Sequence, residues 1–216
     1  MKKILFTLIF SFLICLPAYA HQPHFVENID QPIKITDPEV SKAYYGELKG
    51  KPDFYVLDSP TDFQLYLNIL IPAVPETNRD MLVEFYTNQE PGKPLYTLDG
   101  KNFAWQPFHE EFANDDYFKG PEIREMVPAA SYYIKVSSLS NTGRYSLAVG
   151  EKEEFPPSEI IRSLIELPQI KSQIFNKPAI SAFFNIFGLF LFVPLILLIV
   201  IIIGIVYLVK RRRNKK

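Results

Sequence analysis

The sequence predicts a mainly β protein: a β-sandwich held outside a membrane by one C-terminal transmembrane α-helix. Three observations predict it. Between residue 21 and about residue 157, short runs rich in aromatic and β-branched residues are interrupted by Pro, Gly, Asn and Asp, as in sandwiches. From Ile186 to Val209 the chain reads "IFGLFLFVPLILLIVIIIGIVYLV", with no charged residue. The first twenty residues have the basic start, apolar middle and small-x-small end of a secretory signal.

The two ends set the topology. Lys2 and Lys3 precede the uncharged run Ile4 to Leu16, and Pro17-Ala18-Tyr19-Ala20 supplies a cleavage pattern, so residues 1–20 read as a signal peptide and His21 as the mature N-terminus. About 13 apolar residues are too few to span a bilayer core, which needs roughly 20. Cys15 follows Ile14 rather than a small residue, which argues against lipidation. Residues 186–209 extend about 36 Å as a helix at about 1.5 Å per residue, long enough to span. Pro194 and Gly204 are tolerated in such a helix, and Tyr207 sits where an interfacial aromatic belongs. The tail 210–216 is basic, which places it in the cytoplasm and gives it an attraction for anionic lipid. The expectation is a single-pass protein of the cytoplasmic (plasma) membrane, its N-terminal domain extracellular or periplasmic.

Charge separates along the chain. All 24 acidic residues lie between signal and span, whereas two of the 23 basic residues precede that stretch and six follow it, leaving it a net charge of −9. Such a surface excludes the basic footprint that nucleic acid needs. The only cysteine is Cys15, so the mature chain is without disulfides or thiolate-bound metals. Its stability must come from an apolar core, which its Phe, Tyr, Val, Ile and Leu content can build.

Taken in order, "FVENIDQPIKI" alternates weakly up to Asp37-Pro38, and "DFYVLD" ends at Ser59-Pro60. "DFQLYLNILI" puts Phe63, Leu65, Leu67 and Ile69 at period two and stops at Pro72. "DMLVEFYT", "SYYIKVSS" and "GRYSLAVG" complete the strands. The turn Ser140-Asn141-Thr142-Gly143 predicts that the last two form a hairpin. Residues 158–185 follow as a juxtamembrane segment. Ser158 is placed to cap a short helix with Glu159 in its first turn and Pro168 as its stop. Ile160, Ile161, Leu164, Ile165 and Leu167 give that helix an apolar side, which suits either the membrane face or the sandwich.

Residues 40 to 150 carry a family resemblance. Gly46 before a core strand, Asp53 with Tyr55, the strand from Phe63 to Leu70, and Asp80 ahead of the next strand are its first features. Its close is Tyr132-Tyr133-Ile134-Lys135-Val136 and Gly143-Arg144-Tyr145-Ser146-Leu147. Together they resemble the bacterial pre-peptidase C-terminal (PPC) domain, which implies a jelly-roll-like β-sandwich. Ala129-Ala130 stand where that family usually has a glycine turn. Such domains are commonly appended to secreted hydrolases, but here the chain has no room for a catalytic domain. The resemblance therefore implies a non-catalytic accessory or binding role.

Two groups of residues have ligand chemistry. His21 as a mature N-terminus joins a free amine to an imidazole, and with His24 or His109 it makes a nitrogen set of the kind Cu(II) prefers. Pro23 has no amide hydrogen, which excludes the usual amino-terminal copper motif and leaves a brace-like arrangement. Glu110, Glu111, Asp115 and Asp116 crowd "HEEFANDDYFKGPE", with Glu122 at its end, and offer hard oxygen ligands for calcium without the EF-hand pattern. Solvated charge is the plainer account of that cluster. Phe103, Trp105, Phe108, Phe112 and Tyr117 flank it as a binding platform or as core. Hydrolase motifs such as Gly-x-Ser-x-Gly and His-Glu-x-x-His are absent.

The functional expectation is a module needing no cofactor. It binds or supports an unknown protein or surface ligand outside the membrane, with the bilayer itself as the partner of 186–209. A copper-handling protein and, behind it, a hydrolase of unspecified kind are the alternatives.

Overall fold

The computed structural model describes residues 21–27, 31–87 and 92–214, so the signal-peptide reading of 1–20 lies outside the described residues. Among the described residues, eleven strands form two sheets. The first runs in the order β1 (Gln22–Phe25), β3 (Lys42–Lys49), β11 (Thr142–Val149), β5 (Phe63–Pro72), β9 (Asp115–Val127) and β8 (Gln106–Glu110). The second has the order β2 (Ile33–Ile35), β4 (Asp53–Ser59), β10 (Ala130–Ser137), β6 (Leu82–Thr87) and β7 (Tyr96–Asp99). All pairings are antiparallel except β1 with β3 and β2 with β4.

Period-two alternation decides which side chains meet between the sheets. Phe63, Leu65, Leu67 and Ile69 of β5 point inward, as their spacing predicts, against a core that includes Tyr55, Leu57, Phe85, Tyr132, Ile134 and Leu147. The polar ends of this aromatic core are satisfied internally. Tyr145 donates to Asp53 at 2.7 Å, and the hydroxyls of Tyr55 and Tyr145 lie 2.7 Å apart. Burial holds both phenols well above their ordinary pKa; the hydrogen bond with Tyr145 opposes the shift at Tyr55, while Tyr55 and Asp53 add to it at Tyr145.

The predicted hairpin is not formed. β10 pairs with β4 and β6, whereas β11 pairs with β3 and β5, so the turn at 138–141 carries the chain from one sheet to the other. Asn141 at φ 49° and Gly143 at φ 118° shape it. Turn residues specify a local reversal, and a reversal serves an arch as well as a hairpin. The apolar rows decide between them: Tyr132, Ile134 and Val136 face Tyr145, Leu147 and Val149 across one core.

The outer face of the first sheet is covered as well. Helix α1 (Pro157–Gln169), a π-helical turn (Ile170–Ile174) and a 3-10 turn (Ala179–Phe183) lead to helix α2 (Ile186–Arg213). Leu167, Ile170, Ile174, Phe175, Ala182 and Phe187 from this segment pack on Ala43, Tyr45, Tyr66, Leu70, Tyr117 and Ala148, making a second core. The segment from residue 158 to 185 therefore packs against the sandwich. α1 also protects an edge, since the Glu166 carboxylate accepts the amide of Phe25 on the edge strand β1 at 2.6 Å.

Two local expectations fail in this segment. The helix is preceded by Pro156 and makes no side-chain cap, so Ser158 lies inside it. Pro168 does not stop it either. Proline lacks the N–H that would reach back one turn, and the chain passes into the wider π-helical turn directly afterwards. The Ser172 hydroxyl recovers the Pro168 carbonyl at 3.0 Å.

Ionic and polar contacts fasten this cover. Asp115 and Lys171, each 1% exposed, meet at 2.6 Å, and Lys177 reaches the other oxygen of Asp115 at 2.8 Å. Lys171 also donates to the Ala113 carbonyl at 2.5 Å. Asn185 donates to the same carbonyl at 3.0 Å, while its Oδ1 accepts the Gly188 amide at 3.0 Å and so caps α2. Phe187 is fully buried. Gly188 is required at its position, because a Cβ there would stand 1.8 Å from the Phe183 carbonyl oxygen. α2 is long and apolar enough to cross a membrane, and it continues past Val209 through the basic cluster to Arg213.

Removing the shared carboxylate should strand a buried ammonium. Asp115→Ala is expected to cost about 3–5 kcal/mol and to free 157–187 for proteolysis, because breaking a buried pair leaves an uncompensated charge. Thermal unfolding with limited proteolysis in detergent checks this. Lys177→Ala should cost far less, since that side chain is 36% exposed.

Candidate ligand cavity

A cavity of about 580 Å³ opens on the outer face of the first sheet beside the start of α2. Ala43 and Tyr45 of β3, Tyr66 and Leu70 of β5, and Ser146 and Ala148 of β11 form its floor. Residues Phe108 to Phe112 make one wall, and Ile186 and Phe190 of α2 complete its edge. The volume falls within the roughly 300–1,000 Å³ typical of small-molecule sites. The bulge in β5 between Asn68 and Leu70 lies in this floor, and the Asn68 amide donates to the carbonyls of Gly120 and Pro121 at 3.1 and 3.0 Å.

The fold brings together two of the three histidines singled out in the sequence. His21 and His109 both line the cavity. His109 sits on β8 opposite Asp116 of β9, and its Nδ1 meets that carboxylate at 2.7 Å. His21 keeps exposed surface, and its Nδ1 pairs with the Ser41 hydroxyl. Desolvation by the surrounding atoms lowers its imidazole pKa, opposed by the Glu151 carboxylate. The Ser41 hydroxyl is also 3.2 Å from the Glu153 carboxylate, to which it can donate.

His24 lies elsewhere. It stacks on Tyr44 at 4.9 Å between centroids, and its Nδ1 accepts from Arg162 at 3.0 Å. Desolvation first, then the cationic Arg162 and Lys42, lowers its pKa to about 4. The ring is therefore neutral near pH 7, and Tyr44 and Arg162 already occupy its surroundings.

The acidic cluster is dispersed among other tasks. Glu110 accepts the amides of Phe112 and Ala113 at 2.8 and 2.7 Å and so closes the turn after β8. Its burial raises its pKa against those bonds. Asp115 is held by Lys171 and Lys177, Asp116 by His109, and Glu111 stands on the cavity wall. Oxygens of Glu110, Asp115 and Asp116 thus bind amide, ammonium and imidazole groups respectively. Among the described residues no group of three or more His, Cys, Asp or Glu is placed to hold a metal ion.

The aromatic platform divides in two. Phe108, Phe112 and Tyr117 belong to the cavity. Trp105 packs on the main core, its indole donating to the Gly100 carbonyl at 2.8 Å, with Phe103 edge-on at 6.3 Å. The contribution of Tyr45, Tyr66, Ile186 and Phe190 to one cavity had no motif in the sequence. One signal was there to read: the outer face of β5 also carries large apolar side chains, Tyr66 and Leu70, alongside Gln64 and Asn68, and such residues need a cover.

No protein-family model and no curated protein matches the chain. Among solved structures it is similar to the pre-peptidase C-terminal domain of collagenase from Bacillus anthracis, with 12% identity and a TM-score of 0.36 over 58% of this chain and 98% of that one. It is also similar to CorA, described as a surface-associated copper-binding protein important in copper acquisition in Methylomicrobium album BG8. There the identity is 6% and the TM-score 0.29, over 62% of this chain and 99% of the other. A PPC-like β-sandwich is what the sequence resemblance implied. Both likenesses concern the fold.

The depressed His24 pKa has a consequence for stability. Between the ordinary value of 6.5 and the folded value of about 4, the unfolded chain binds a proton that the folded chain does not. Stability should therefore be full above this window and fall as pH drops through it. His24→Phe, which keeps a ring on Tyr44, should flatten that part of the profile, as denaturant midpoints at pH 7 and pH 4 would reveal. Equal slopes in both proteins would assign the acid sensitivity to other groups.

Proposed function

We propose that the protein is a non-catalytic module anchored by α2 in the cytoplasmic membrane, whose β-sandwich binds or supports a partner outside it. The observation that carries this reading is the joint between sandwich and α2. Phe187 is buried in the second core, and Asn185 caps α2 while bonding to the Ala113 carbonyl. The sandwich is thereby presented at a fixed height, with its cavity beside the first turns of α2. An acidic exterior and a basic tail agree with that orientation.

Native mass measurement after extraction in mild detergent tests this reading. The tagged chain should come out with one partner in fixed stoichiometry. Phe108→Glu on the cavity wall should remove that partner without moving the unfolding temperature. A chain that emerges alone and monomeric, whatever the detergent, would overturn the proposal.

One observation favours a second reading, a copper site. His21 and His109 line one cavity, and His109 is oriented by a carboxylate, as metal-binding histidines usually are. A chain processed to begin at His21 adds its α-amine to that set. Stoichiometric Cu(II) binding should then vanish in His109→Ala and when one residue is added ahead of His21. Binding indifferent to both changes would leave the cavity to other ligands.

A further inference from the structure

We infer that Ile161, Ile165, Ile180 and Phe184 form a seat that rests in the interfacial layer of the bilayer, so that α1 lies between sandwich and lipid. The inference rests on the reading of α2 as a membrane span.

α1 has two unlike sides. Glu159, Ser163 and Leu167, spaced four apart, are buried toward the sandwich. Ile161 and Ile165, also four apart and about half a turn away, remain 63% and 61% exposed. The segment after α1 repeats the pattern. Ala182 is fully buried, while Ile180 and Phe184 are 59% and 75% exposed. Four large apolar side chains thus face outward within one short stretch of chain. Water solvates such surface unfavourably, and a soluble face would carry polar residues at these positions.

Two facts say what covers this surface. Phe184 stands two residues before α2 begins, and exposed apolar side chains resume at Ile186, Leu189 and Phe190 at the start of the span. α1 is also close to that entry point, since its Ser163 and Leu167 line one narrow gap together with Phe187 of α2. α1 packs on the 3-10 turn, and that turn leads directly into α2, so α1 lies beside the place where the chain enters lipid. An interfacial helix buries its apolar side to about 5–10 Å depth, which Ile161 and Ile165 can reach while Arg162 stays among headgroups.

Residues 21–216 contain no cysteine, so single labels can be placed cleanly once Cys15 is replaced by Ser. Ile161→Cys, Ile165→Cys and Phe184→Cys, each carrying a nitroxide, would be studied in nanodiscs of phosphatidylethanolamine and phosphatidylglycerol. Accessibility to oxygen and to a water-soluble nickel chelate reports depth. Met126→Cys on the sandwich and Leu198→Cys within α2 provide the aqueous and deep references, and unfolding temperatures confirm that each variant is folded. The oxygen-to-chelate ratio at 161, 165 and 184 should be several-fold above that at 126 and below that at 198. If 198 is deep while 161 and 165 match 126, the seat is overturned and the span stands. Labels at 161 and 165 shielded from both reagents would mean that a partner or a second copy covers the face, which also overturns it. If 198 itself matches 126, the span reading falls and the seat falls with it.

Discussion

The Asp115 carboxylate is the point on which the outer half of the molecule depends. It stands at the start of β9, almost out of water, and holds ammonium groups contributed 56 and 62 residues later in the chain. A buried charge of either sign alone is costly, so neither the acid nor Lys171 is tolerable in this position without the other. That requirement brings the π-helical turn onto the sheet. Once it is there, Leu167, Ile170, Ile174 and Phe175 cover Tyr45, Tyr66 and Tyr117, and the second core exists. The ion pair by itself contributes little net energy; what it secures is the register of the apolar contacts around it.

The same short loop serves structure and cavity together. Glu110 closes the turn, the carbonyls of Phe112 and Ala113 receive donors from Phe187, Asn185 and Lys171, and Phe108 to Phe112 face the open space. A ligand that displaced this wall would therefore pull on the cap of α2. Cavity and α2 are coupled through a handful of main-chain groups, in a part of the protein otherwise built from two sheets.

Legibility in the sequence followed the range of the physics involved. Alternation along a strand is local, so Phe63, Leu65, Leu67 and Ile69 revealed their inward face, and the uncharged run from Ile186 was equally plain. Asn141 and Gly143 announced a reversal but not which sheet would receive the next strand, because that choice lies in core packing far away. Pro168 looked like a terminator, since the widening that accommodates it comes from tertiary contacts of Ile170 and Ile174. The acids around His109 looked like one cluster. In three dimensions they separate, because each meets a partner that sequence distance conceals, Lys171 for Asp115 above all. Tyr66 and Leu70 were visible as the second apolar face of β5, and the helical cover they require is the one inference about the site that a closer reading of that strand yields.

Between the sandwich and α2 there is no slack: the cap residue of the helix is itself bonded into the loop of the domain. Where α2 crosses a bilayer, its apolar stretch of about 36 Å exceeds the roughly 30 Å of hydrocarbon available, and a helix in that situation leans. A domain on a flexible stalk ignores such a lean. A domain joined as this one is would turn with it, like a pointer fixed to an axle, and membrane thickness would then set the direction in which the cavity faces.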